Sequence, residues 1–117
     1  MTTTTLTEGP AVLIGYAWRL QIEAEVPVFP EKASYAGQIR ARAGATDVLA
    51  TLTSANQGIL RISDTVLELA LSPEQSACLA PGRIVLDLVR TDLTPDLHLG
   101  FLLDLPVTQP VTRGLAL

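Results

Sequence analysis

Charge is scarce in this chain. Of 117 residues, 17% are Asp, Glu, Lys or Arg and 48% are hydrophobic, where an average soluble domain carries about 25% charged residues. Disorder needs low hydrophobicity and dense charge, so this is a folding chain. It is also poorly supplied with charge to cover its own exterior. Positive charge is the scarcer sign: eight Lys and Arg, with Lys32 the only lysine, stand against twelve Asp and Glu. Nucleic-acid phosphates are held by clustered Lys and Arg. The only pair at strand spacing is Arg40 and Arg42, so no nucleic-acid partner is expected. The single cysteine, Cys78, excludes an internal disulfide and with it a stapled secreted scaffold. The single histidine, His98, leaves no Cys/His set for zinc, and neither metal nor cofactor is expected. Long apolar runs are missing too. Ala11–Trp18 follows Glu8 and is too short to span a bilayer, and the threonine-rich start has no basic region. Neither a signal peptide nor a membrane partner is expected, and the chain is expected to be made and folded in a cytoplasm.

What is present has a period of two. Tyr16, Trp18, Leu20, Ile22 and Ala24 alternate with Ala17, Arg19, Gln21, Glu23 and Glu25, which gives a strand with one apolar and one wet face. Further strands are expected at Tyr35–Ala43, Val48–Thr53, Ile59–Ile62, Val66–Leu71, Arg83–Arg90 and Leu97–Leu105. The prolines of 26–34 make that stretch a connection or an edge, because proline cannot donate to a ladder. Gly44–Asp47 and Ser54–Gly58 read as turns, with Asn56 and Gly58 suited to positive φ. One helix is expected over about 73–79: Ser72 stands at its N-cap, Pro73 at the first helical position and Gln75 three residues in, a capping box. No crossover between consecutive strands is long enough to be helical, so the sheets should be antiparallel. Turn spacing of roughly 8–12 residues then predicts an all-β, antiparallel, immunoglobulin-like β-sandwich of seven or eight strands with one short helix. The sandwich is expected over 11–106, between an N-terminal arm at 1–10 and a C-terminal arm at 107–117.

No residue pattern here makes catalytic chemistry, and no enzyme is expected. His98 reads as a surface residue of the last strand, beside Gly100, with Asp96 and Asp104 the nearest carboxylates in sequence. Cys78 reads as a small buried apolar side chain. The pairs Glu23/Glu25 and Asp92/Asp96 lack the oxygen-ligand spacing of a calcium loop. Tyr16 and Trp18 read as core aromatics, and would form a sugar-binding platform only if exposed. The hydrophobic surplus weighs more than any of these. Val28 and Phe29 in the proline-bounded connection, Leu102 on the wet face of the last strand, and Val107, Val111, Leu115 and Leu117 in a nonperiodic tail are the candidate protein–protein contacts, since large exposed apolar patches mark interaction surfaces.

The order of features resembles a known group. A threonine-rich lead and a long alternating strand precede Tyr35-Ala-Gly-Gln-Ile-Arg-Ala41. A hairpin at Gly58-Ile59 and the segment Leu71-Ser-Pro-Glu-Gln-Ser76 follow. Then come Leu79-Ala-Pro-Gly82, Val85-Leu-Asp-Leu88 and, at the end, Val111-Thr-Arg113. From about Leu6 to Arg113 this resembles the small immunoglobulin-like domains of tailed-bacteriophage virion proteins. It is especially similar to the N-terminal domain of upper baseplate proteins and to stand-alone accessory proteins encoded among phage structural genes. The resemblance implies a non-enzymatic virion protein, assembled in the host cytoplasm, with no catalytic residues to carry over. Its partners would be other virion proteins, either the major capsid protein or baseplate and tail proteins, and further copies of itself. Baseplate proteins of this type continue into a receptor-binding or oligomerising part, and no such part is expected after Arg113. The first expectation is therefore a capsid decoration (cement) protein bridging major capsid subunits. The second is a baseplate or tail accessory that holds host-recognition proteins, and a carbohydrate-binding module is a third.

Overall fold

The computed structural model describes residues 5–8 and 10–112. The strands there are β1 (Thr5–Glu8), β2 (Val12–Leu13), β3 (Trp18–Glu23), β4 (Tyr35–Arg40), β5 (Ala50–Thr53), β6 (Ile59–Arg61), β7 (Val66–Leu71), β8 (Gly82–Arg90) and β9 (Leu97–Thr108), most of them built on alternating apolar side chains. One helix, α1 (Pro73–Ala77), joins β7 to β8. The fold is all-β with two sheets. One runs β1-β9-β8-β4-β5, with β2 also on β9, and the other runs β3-β7-β6. Their inward rows meet in one buried cluster: Tyr35, Ile39, Leu52, Ile84, Leu86, Leu88, Leu105 and Val107 from the first sheet, and Trp18, Ile59, Leu67, Leu69 and Leu71 from the second. Burying each large apolar side chain contributes about 1.5–3 kcal/mol.

The pairings are antiparallel with two exceptions, both on β9. β1 and β2 both lie parallel to β9, Thr5 opposite Phe101 and Val12 opposite Val107. The antiparallel expectation fails there because the crossover argument concerns consecutive strands. These strands are far apart in sequence, and the rest of the chain is their crossover. The residues expected as arms are therefore partly sheet: Thr5–Glu8 pairs with β9, and Val107 and Thr108 belong to β9 itself. The break between β1 and β2 falls opposite Leu105 and Pro106, where a proline has no N–H for a ladder.

Local chemistry fixes the details. The capping box forms as the sequence predicts: Ser72 Oγ accepts from Gln75 N at 3.1 Å and Gln75 Oε1 accepts from Ser72 N at 2.9 Å. In the 54–58 turn the positive φ falls on Gln57 (64°), not on Asn56 or Gly58. Asn56 Oδ1 instead accepts from Thr53 N and Gly58 N, both at 2.9 Å. Gly58 is required for closeness, since a Cβ there would sit 2.9 Å from Asn56 Oδ1 and 3.0 Å from Leu52 Cα. Gly37 faces inward on β4, where a Cβ would lie 2.6 Å from Asp87 O. Beside it the β8–β9 register shifts between Asp87 and Val89, and Gly100, at φ 87°, takes up the slack in β9.

Candidate interaction surface

The expected contact residues do not form one surface. Phe29 is 2% exposed, in edge-to-face contact with Tyr35 at 6.0 Å between ring centroids. The 26–34 connection folds back over the core because Val28 N and Phe29 N both donate to Asp64 O, at 3.1 and 2.9 Å, and Arg61 Nε donates to Phe29 O at 2.7 Å. Val107 is buried as well, on the inward row of β9. These two residues are core, which corrects their assignment to a contact surface. Leu102 is half-buried opposite Asp87 on the outer face of the larger sheet, where it lines a shallow concavity with Val85, Gln38 and Arg40. Val28 is exposed, and Val111 is 95% exposed. Leu115 and Leu117 lie outside the described residues.

Most exposed large apolar side chains gather instead at the two ends of the domain, while Val48, before β5, and Leu60, on β6, are exposed as well. At one end, the β3–β4 connection carries Val26 (60% exposed) and Val28, the β6–β7 turn carries Ile62, and the β8–β9 turn and strand end carry Leu93 and Leu97. The three segments are tied together. Ala24 N donates to Thr65 O at 2.8 Å, Thr91 N to Ser34 O at 2.9 Å and Ser34 N to Asp92 Oδ1 at 3.2 Å. Arg90 grips the same Asp92 carboxylate through Nε at 3.2 Å and Nη2 at 2.7 Å. That two-point bond to a cation holds the Asp92 pKa down from the ordinary 3.8 to about 2, and raises that of Arg90. Sequence reading missed Ile62, Leu93 and Leu97. Ile62 and Leu93 stand beside Ser63-Asp64 and within Thr91–Asp96, where strand alternation stops assigning an inside, and Leu97 opens the last strand, whose alternation put it in the apolar row.

At the opposite end Leu13, Tyr16 and Val111 are exposed. Tyr16 corrects the expectation of a core aromatic. It lies before β3, and its hydroxyl donates to Thr112 O at 2.7 Å. Trp18 is buried, with Nε1 3.4 Å from Pro10 O, so it offers no sugar-stacking face. Behind this end Ser76, fully buried, accepts from Gly15 N at 3.0 Å and donates to Tyr16 O at 2.8 Å, joining α1 to the β2–β3 turn.

His98 and Cys78 both have structural partners. His98 is exposed, as expected, but its carboxylate is Asp87 across the sheet rather than Asp96 or Asp104. Nδ1 accepts from Gly100 N at 2.8 Å, and Nε2 lies 2.8 Å from Asp87 Oδ2, so the ring clamps the irregular part of β9. With Nδ1 accepting, the neutral ring carries its proton on Nε2 and donates it to Asp87. Cys78 is exposed, which corrects the expectation of a buried thiol. The helix is only five residues long, and Cys78 is its C-cap, turned outward with Sγ 3.4 Å from Glu74 O. Among the described residues no three His, Cys, Asp or Glu side chains converge to hold a metal ion, and no helix is long and apolar enough to cross a membrane. No family model matches the chain, and no curated protein matches it.

Proposed function

We propose that this chain is an immunoglobulin-like β-sandwich that serves as a non-enzymatic structural protein of a tailed-phage virion. In the first reading it is a capsid decoration protein bridging major capsid subunits. The strand order supports the sandwich assignment. Read along the chain as A to G, β9-β8-β4-β5 corresponds to G-F-C-C′ and β3-β7-β6 to B-E-D, the arrangement of a variable-type immunoglobulin domain. The observation that carries the functional reading is the apolar surface at both ends of a charge-poor domain: Val26, Val28, Ile62, Leu93 and Leu97 at one, Leu13, Tyr16 and Val111 at the other. Two-ended contact is what bridging requires. Each copy gains about 25 cal/mol per Å² of apolar surface buried, offset by ordering costs, and many copies on one shell add through multivalency.

The second reading, a baseplate or tail accessory holding host-recognition proteins, is favoured by the sequence resemblance to upper baseplate N-terminal domains. Immunogold labelling of virions from the phage encoding this chain separates the two. Label over the shell is expected. Label confined to the tail tip selects the baseplate reading, and particles without label overturn both.

A further inference from the structure

We infer that β3 is a pairing edge for a second copy of this chain, joined antiparallel across a two-fold axis with Gln21 opposite Gln21. β3 is the longest uninterrupted strand at a sheet edge: six residues, against four in β5 and three in β6. Among the described residues, only β7 pairs with it. Ala24 N donates toward β7, to Thr65 O, and alternate residues of a strand direct their N–H and C=O the same way. Trp18, Leu20 and Ile22 therefore bond to β7, while Arg19, Gln21 and Glu23 point their backbone groups off the free edge. An open edge of this kind is a template for another strand, and proteins usually blunt it with repelling charge.

Here the charges do the reverse. A two-fold at Gln21 sets Arg19 opposite Glu23 of the second copy and Glu23 opposite its Arg19. Leu20 and Ile22 then face Ile22 and Leu20. All three outward-pointing residues find a hydrogen-bonded counterpart in this register, and a shift by two residues in either direction leaves one of them unpaired. Arg19 Nη1 already meets Glu68 Oε1 at 2.7 Å, and Gln21 Nε2 lies 3.4 Å from Glu68 Oε2, so Arg19 would sit between two carboxylates. Glu23 has no ion-pair partner among the described residues. Leu20 and Ile22 are only half-buried although they face the core side, and a strand laid beside them would cover them.

The inference goes beyond the virion reading and does not depend on it. Unlabelled particles would leave the dimer intact, and a strict monomer would leave the shell contact intact. Sedimentation velocity of the full chain over a concentration series tests it. Wild type is expected to dimerise. Arg19→Glu and Glu23→Arg each place like charges across the axis, and each should weaken association about tenfold or more. An equimolar mixture of the two variants restores complementarity and should associate more strongly than either alone. Amide exchange reads the register directly: Arg19, Gln21 and Glu23 should become protected as concentration rises, whereas Leu20 and Ile22 are protected throughout. If Arg19→Glu loses its fold with the Glu68 pair, Glu23→Arg and the exchange pattern still decide. A wild-type monomer at its highest soluble concentration, variants that dimerise as well as wild type, or a mixture no stronger than its components would each overturn it.

Discussion

The hydroxyl of Tyr35 is buried with no hydrogen-bond partner among the described residues, and burial raises its pKa. An unsatisfied buried polar group costs about 1–3 kcal/mol, so Tyr35→Phe should leave stability unchanged or raise it by up to about 1 kcal/mol in urea unfolding. A loss of more than that would mean the oxygen is bonded, with a buried water the candidate. Ser76 is the opposite case: Ser76→Ala strips Gly15 N of its acceptor and should cost about 1–3 kcal/mol by the same measurement. Asp92 is where pH acts. Its folded pKa, about 2, lies below the ordinary 3.8, so its pairing with Arg90 stabilises the fold above the ordinary value and fades as pH falls toward 2. The stability gap between wild type and Asp92→Asn should be widest near neutrality and close on acidification, as followed by unfolding midpoints across pH. Little of this was legible in the sequence. A hydroxyl's partner is decided by what the fold brings beside it, and Asp87 meets His98 only because β8 and β9 pair.

At the scale of elements, alternation made most strands readable. Leu103, Leu105 and Val107 continue one inward row, although the sequence placed Val107 in a tail because Pro106 breaks the pattern there. β1 and β2 were not readable. Four residues and two residues are too few for periodicity, and what fixes them is a register on β9 that no local signal encodes. The cap of α1 was readable because Ser72, Pro73 and Gln75 act on each other within one turn, whereas the fate of Phe29 depended on Asp64 and Arg61, far along the chain. β4 approaches β8 closely at Gly37. Gly37→Ala puts a methyl 2.6 Å from Asp87 O and 2.7 Å from Leu88 Cδ2, so the strands must part. A loss of at least about 1–3 kcal/mol is expected from thermal or urea unfolding.

For the whole molecule, the exposed apolar ends and the low charge act together. Replacing Val26 and Ile62 by serine removes apolar surface without opening the core, so stability should shift by no more than about 0.5 kcal/mol. Binding to particles, measured by co-sedimentation, should fall. Unchanged binding would move the contact to another face. The candidate surface was half legible: the surplus of apolar residues could be counted, but which of them the core absorbs is a three-dimensional outcome, and Phe29 and Val107 show how the count misplaces them. The parallel seating of β1 and β2 on β9 has a consequence for synthesis. Residues 5–13 leave the ribosome long before Leu97–Thr108 exists to receive them. The larger sheet can therefore close only after translation has passed β9, and a nascent chain halted before residue 97 carries β1 and β2 with no seat to occupy.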